Sequence, residues 1–314
     1  MNHVPVGLVF PGQGTQKQGM GEPWRDTASW ELTAEISAVT GEDIAELLLH
    51  TPGDHLQRTD LAQLSVFSVA LIAHAEATRG DALGGRVVAC AGHSLGEYAA
   101  LVAAGALTVG RAAALVAARG RAMREVALTR EGTMGAVVAA PVAEVETLVS
   151  EIRAEGGEVW IANVNAPGQT VISGAPEAVA EAGSRAPSIG GKLITLRVGG
   201  AFHSPFMAPA AETLGAALRD TSFTPARVPV VANVDAAPHT DDGDWPALCV
   251  RQLTSPVLWE ESVRTLTGRL GCRRLVELGP GRTLAGMIRR IDGDVEVVSV
   301  DSPAAVPARP VRER

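Results

Sequence analysis

Residues 92–100 read GHSLGEYAA, directly after the apolar run VVAC at 87–90. A Gly-x-Ser-x-Gly run between a strand and a helix is the sequence form of a nucleophile elbow, a turn so tight that flanking side chains would collide. Gly92 and Gly96 fit the crowded places, Ser94 is left exposed at the turn, and EYAALVAAGAL supplies the helix that follows. The chemistry this allows is attack by a serine oxygen on a carbonyl carbon. A serine is a weak nucleophile until a base takes its proton, so a histidine must come from elsewhere in the chain. Of the seven histidines, His3, His50, His55, His74 and His239 lie in terminal, helical or loop contexts that read as surface, and His93 is expected to point away from the serine. His203, in RVGGAFHSPFM at 197–207, is the candidate base. On these residues alone, a plain glycine-rich turn and a loop histidine bonded to backbone stay open as alternatives.

The elements that must position this pair follow from hydrophobic spacing. Residues 5–10 read as a buried strand that runs into the glycine-rich loop PGQGTQKQGMG at 11–21, and helical segments follow to about residue 78. A strand at 86–90, the elbow and two helices through 128 come next, an order that suits a parallel sheet covered by helices. Between about 132 and 198 the order becomes strand, helix, two strands about the turn NAPG, helix, strand, which is the ferredoxin-like pattern. The fold class expected is therefore α/β, with a large parallel-sheet domain from 1–129 and 199–301 and an inserted small subdomain at 130–198. In the returning part, a helix at 206–220, a strand at 228–234, helical segments at 246–268, a strand at 274–279 and a helix at 283–291 are predicted. The tail from 302 to 314, rich in Pro, Ala and Arg, has little to bury and is expected to be disordered.

Composition excludes several functions. The net charge is −8, with no basic run or basic-aromatic repeat, which argues against a nucleic-acid partner. Cys90, Cys249 and Cys272 are odd in number and lack the paired spacing of a zinc site, so reduced thiols and no metal are expected. The N-terminus enters a strand without a leader pattern, and no apolar run reads as membrane-spanning, so a cytoplasmic protein is expected.

Seven motifs in order carry a family resemblance: VFPGQGTQKQGMG at 9–21, GHSLGEYAA at 92–100, ARGRAM at 118–123, NAPGQTVISG at 165–174, GAFHSPFM at 200–207, QLTSPVLW at 252–259 and VELGPGRTL at 276–284. Together they resemble the acyltransferases that load malonyl groups onto acyl carrier proteins in fatty acid and polyketide synthesis. The resemblance covers roughly residues 5–292 and implies an α/β-hydrolase-like large domain with a ferredoxin-like lobe. It implies Ser94 as nucleophile, His203 as base and then acid, and the backbone carbonyl of Gln252 as the acceptor that fixes the histidine tautomer. It implies an oxyanion hole from the N–H groups of Leu95 and Gln13. Arg119 would form a two-pronged pair with the malonyl carboxylate, for which guanidinium is suited and lysine is not. Arg121 and Arg124, on other faces of that helix, would be solvated.

Further positions follow from the same resemblance. Phe202 would crowd the space an α-methyl needs, as in malonyl-selective members, while Gly200 departs from the histidine of embedded polyketide synthase domains and resembles discrete acyltransferases. Gln63 matches a glutamine near the substrate, although Leu64 stands where the family places proline. Asn165 matches a small-lobe cleft residue, and equally serves a turn. Arg289 and Arg290 match basic residues proposed for carrier docking, or cap a helix C-terminus favourably. The implied reaction is a ping-pong transfer from malonyl-CoA to an acyl carrier protein, without cofactor or metal, by a monomer acting in trans, with a polyketide synthase as the favoured setting. Its rivals are a thioester hydrolase using the same dyad, a transacylase for another carboxylated unit, and a noncatalytic carrier-binding scaffold.

Overall fold

The first strand, β1 (Pro5–Phe10), is the centre around which the chain is wound. Its side chains alternate between two cores, with Leu8 and Phe10 on one face and Val9 on the other, as a strand buried on both sides requires. The computed structural model describes residues 3–79 and 83–306. After β1 come α1 (Leu32–Thr40), α2 (Ile44–Leu49) and α3 (Thr59–Arg79), then β2 (Arg86–Gly92), α4 (Gly96–Ala103) and α5 (Val109–Thr129). β2 pairs parallel with β1 from Pro5 opposite Arg86 to Phe10 opposite Gly92, which brings the glycine loop after β1 beside the elbow after β2.

The next segment makes its own sheet. It runs β3 (Thr133–Val138), α6 (Val142–Ala154), β4 (Val159–Ala166), β5 (Gln169–Gly174), α7 (Pro176–Arg185) and β6 (Lys192–Thr195). The strands lie in the order β4-β5-β3-β6 and all neighbours are antiparallel, the split arrangement expected from the sequence. The chain then returns through α8 (Ala208–Arg219), β7 (Val230–Val231), β8 (Pro238–His239), α9 (Trp245–Gln252), α10 (Trp259–Arg264), β9 (Arg274–Leu278), α11 (Thr283–Ile291) and β10 (Glu296–Val300). These complete a six-stranded sheet in the order β10-β9-β1-β2-β7-β8, parallel except for the short β8. The two sheets are stitched where β4 meets the segment after α9: Val164 N–H donates to Val257 O and Val257 N–H to Ala162 O, each at 2.9 Å.

Several expectations change. The strand predicted at 228–234 shrinks to Val230–Val231, which pair with Cys90 and Ala91 of β2 on one side and with the two-residue β8 on the other. β10 carries no clear alternation, since as an edge strand it is only partly buried, and the sequence reading does not contain it. Of the tail expected to be disordered, Pro303–Ala305 form one helical turn, and residues 307–314 lie outside the described residues. α3 corrects the membrane statement: it is 21 residues long and apolar enough to cross a bilayer, but 72% of its most apolar window is buried inside the protein. It is apolar on nearly all sides because other helices enclose it, the signature of a core helix.

His74 is a second correction. It lies on α3 with its ring edge against Phe10, centroids 6.1 Å apart, and not at the surface. Burial, reinforced by the positive charge of Arg227, pushes its pKa down to about 4. The folded state thus holds His74 neutral while the unfolded chain binds a proton below about pH 6.5, so stability is lost as pH falls from about 6.5 toward 4. His74→Leu is expected to flatten that loss, by up to about 3 kcal/mol at pH 4; thermal melts of both proteins across this range check it, and equal slopes would contradict it.

Candidate active site

The elbow is as crowded as its sequence implies. A Cβ on Gly92 would lie 1.9 Å from the Gly96 carbonyl carbon, and one on Gly96 would lie 2.1 Å from the Phe10 carbonyl oxygen, so both positions demand glycine. Ser94 between them has φ of 51°, a left-handed conformation that L-residues adopt only under constraint. His203, at φ of 58°, is held in the same way and delivers its Nε2 to 2.8 Å from Ser94 Oγ. Its Nδ1 lies 2.9 Å from the Gln252 carbonyl oxygen. A carbonyl can only accept, so Nδ1 carries the proton and Nε2 is free to accept from the Ser94 hydroxyl.

Arg119 completes the cluster. Its side chain rises from α5 and is buried, with Nη2 donating to Ser94 Oγ at 3.0 Å and to Gln252 Oε1 at 3.0 Å, and Nη1 donating to Gln63 Oε1 at 2.6 Å. Its Nε has no partner among the described residues. Burial and, next, the Arg119 charge push the pKa of His203 down to about 3, against the pull of the Gln252 carbonyl. The imidazole is therefore neutral at rest, as a base must be. A pocket of about 110 Å³ opens onto Ser94, lined by Arg119, Met123, Met134, Phe202, His203, Gln13 and other residues. It shares Gln13, His93, Asn163, Leu196 and Val198 with a larger cleft of about 380 Å³ that runs between the glycine loop, the small sheet and α11.

The N–H groups of Leu95 and Gln13 donate to no protein acceptor among the described residues, so both are available to an oxygen in the pocket. The Gln13 side chain is tied back, its Oε1 accepting from Thr59 Oγ1 at 2.7 Å. Gly12 lets this loop approach, since a Cβ there would meet the His93 carbonyl oxygen at 2.5 Å. A serine activated by a neutral histidine, two free N–H donors and a buried guanidinium make a site able to acylate itself from an activated carboxylic derivative.

Residues 8–293 match the acyl transferase domain family. The chain belongs to the acyl transferase family. This acyl transferase is 38% identical to the malonyl CoA-acyl carrier protein transacylase of Salmonella typhimurium, over 96% of its own length and 97% of the relative's. It is 36% identical to a polyketide-biosynthesis malonyl CoA-acyl carrier protein transacylase of Bacillus subtilis, covering 93% and 99% of the two chains. It also superposes with a TM-score of 0.90 and 32% identity on a malonyl-transacylase solved in complex with a type II polyketide synthase acyl-carrier protein, covering 96% and 97%.

The other sequence-predicted residues of the acyl transferase fall as follows. Gln63 is fully buried and reaches Arg119 from α3, with Leu64 in place of proline leaving the helix unbroken. Phe202 lines the pocket. Arg121 is exposed and Arg124 is partly exposed, 3.9 Å from Asp60. Asn165 sits at the end of β4, just before the turn, and its Oδ1 lies 2.8 Å from His93 Nε2. His93 bonds Asn165 and not Ser94, as expected, and it also lines both the small pocket and the larger cleft. Arg289 is exposed in the last turn of α11. Arg290 is engaged within the protein, donating to Gln169 Oε1 at 2.8 Å and to the Pro167 carbonyl, so it ties α11 to the β4–β5 turn.

Sequence reasoning missed the side chain of Gln252, which contributes more than its carbonyl: Oε1 accepts from Arg119 and Nε2 donates to Ser94 O at 3.0 Å. Asn233 and Glu97 were also missed, although Glu97 stands inside the quoted elbow motif. A helix-start glutamate ordinarily faces solvent, and only burial distinguishes this one. The depressed pKa of His203 predicts that Ser94 labelling by a fluorophosphonate holds its rate as pH is lowered from about 7.5 to about 5, where an ordinary histidine would lose most of it. Arg119→Gln should move the acid limb upward, because the charge that opposes imidazolium is gone. Half-loss near pH 6.5 in the parent protein would contradict the assignment.

Proposed function

We propose that this chain moves a malonyl group from malonyl-CoA, through an ester on Ser94, to the phosphopantetheine thiol of an acyl carrier protein. The observation that carries the reading is Arg119: a buried cation 3.0 Å from the candidate nucleophile, in a pocket where Met123, Met134, Leu196, Val198 and Phe202 supply the apolar lining and no carboxylate is present among the described residues. Such a pocket favours an acyl group with a free anionic end, and guanidinium matches a carboxylate in a two-pronged pair. The malonyl carboxylate would take Arg119 over from Ser94 Oγ, freeing the oxygen for attack.

The steps then balance without cofactor or metal. His203 Nε2 takes the Ser94 proton as Oγ bonds to the thioester carbon, and the resulting oxyanion is held by Leu95 and Gln13 N–H. The Gln252 carbonyl holds the imidazolium through Nδ1–H. The tetrahedral intermediate collapses, the C–S bond breaks, and imidazolium returns its proton to the CoA sulfur. The carrier thiol reverses the sequence, attacking the Ser94 ester while His203 takes the thiol proton and then restores it to Ser94. Phe202 would exclude an α-methyl group, a discrimination of about 1–3 kcal/mol.

The relatives include enzymes named for polyketide biosynthesis and others without that label at nearly equal identity, 36% and 38%. Supply to a polyketide synthase in trans is the setting the GAFH sequence favours, and the cytoplasm is the compartment proposed for it. Arg289 and Arg290, both exposed at the end of α11, are the cations proposed to meet an acidic carrier, and Arg290 also donates to Gln169, which lines the larger cleft.

Arg119→Ala leaves the malonyl carboxylate unpaired in a buried pocket, which costs about 3–5 kcal/mol, or roughly 100- to 4,000-fold in malonyl transfer. Transfer from acetyl-CoA, which has no such carboxylate, should change far less. Competition between the two thioesters in parent and variant checks this; an unchanged malonyl preference would refute the role of Arg119.

A further inference from the structure

We infer that Glu97 is a positioning residue for the acyl transfer, through hydrogen bonds that fix the Ser94 backbone at both of its ends and the guanidinium of Arg119. The inference rests on the reading of Ser94, His203 and Arg119 given above. Glu97 is 1% exposed, in the first turn of α4, three residues past the serine. One carboxyl oxygen accepts from Gln252 Nε2 at 2.7 Å and the other from Asn233 N–H at 2.7 Å. Burial pushes the Glu97 pKa up to about 8 while Asn233, Gln252 and the Arg119 charge pull against it, and two oxygens that each face an N–H donor are the pairing of a carboxylate.

Both partners act directly on the site. Gln252 Nε2 also donates to Ser94 O at 3.0 Å, and its Oε1 accepts from Arg119 at 3.0 Å. Asn233 Oδ1 accepts from Ser94 N–H at 2.6 Å, and its Nδ2 donates to Gly92 O at 2.6 Å. The amide orientation of Gln252 matters most. With Oε1 toward Arg119 the pairing is donor to acceptor; turned over, its NH₂ would face the guanidinium. As a carboxylate, which accepts and cannot donate, Glu97 sets that orientation. The same two partners hold a serine whose φ of 51° would otherwise relax, and Gln252 bears the carbonyl under His203.

The isosteric Glu97→Gln removes one of the two acceptors and puts an NH₂ in its place, so either Gln252 or Asn233 meets a donor. A misplacement of about 1 Å at reacting atoms costs on the order of 100-fold in rate. Two rate constants are measured on the same protein: Ser94 labelling by a fluorophosphonate, and Ser94 acylation by malonyl-CoA followed by intact mass. Time courses separate the rate constant from the amplitude, so a residue that merely supports folding would lower the labelled fraction and leave the rate of the remainder unchanged.

The expected result is a loss of about tenfold or more in both rate constants, with partial recovery in Glu97→Asp, which keeps the carboxyl group. Rates within twofold of the parent overturn the inference. Should Glu97→Gln fail to fold, Glu97→Asp, which shortens the reach of the carboxyl to Gln252 and Asn233, is read against the parent: a loss of more than twofold in both rate constants supports the inference and parent-like rates overturn it. A parent protein that labels at Ser94 but takes no malonyl group defeats the transfer reading, while the labelling ratio still decides the role of Glu97.

Discussion

Ser94 meets His203 only because both backbones are held in the left-handed region, at φ of 51° and 58°, facing each other across 2.8 Å. Neither residue type prefers that conformation, and each such position costs roughly 1–3 kcal/mol unless its surroundings over-determine it. The surroundings do so here. Phe10 and Gly96 lie against each other so closely that no Cβ fits, which locks β1, β2 and α4 into one rigid corner. The histidine comes from the chain that leaves the small sheet, and Ser204, capping the short helical turn Pro205–Met207, stops it from drifting. The large parallel sheet supplies the nucleophile and the return crossing supplies the base, so catalysis depends on how the two are joined.

Electrostatics follow from the same burial. Arg119 brings a positive charge into a site where water is scarce, and that charge does two things at once: it holds the neighbouring imidazole neutral and it leaves the pocket short of an anion. A cation whose Nε finds no partner in the protein is poised for a ligand that brings oxygen acceptors. Gln63, Gln252 and the serine hydroxyl orient it meanwhile, all of them neutral, so none competes with an incoming carboxylate as a fixed acid would.

Much of this was legible in the chain. Residue types that turn or react announce themselves locally: Gly92, Ser94 and Gly96 read as an elbow from five consecutive letters, and the βαββαβ order of the small sheet from spacing alone. The partners of those residues were less visible, because a side chain more than a hundred positions away is identified by packing and not by pattern. Gln252 could be placed by family resemblance for its carbonyl, yet its amide, which touches Ser94, Glu97 and Arg119, could not. His74 and α3 read wrongly for one reason, that a helix enclosed on all sides has no polar face to show which residues are buried. The partners of His93 and Arg290, which are Asn165 and the β4–β5 turn, come from the small sheet and are set by packing that sequence distance does not encode.

The central claim is that Ser94 forms a selective, transferable ester with a carboxylated acyl group. Intact-protein mass measurement with malonyl-CoA, methylmalonyl-CoA and acetyl-CoA present together, before and after adding a phosphopantetheinylated acyl carrier protein, tests it most directly, with Ser94→Ala as control. A malonyl adduct is expected that persists on the parent protein, moves to the carrier, and is absent from the control. Free malonate released without an accumulating adduct, or an acetyl adduct in preference to malonyl, would contradict it.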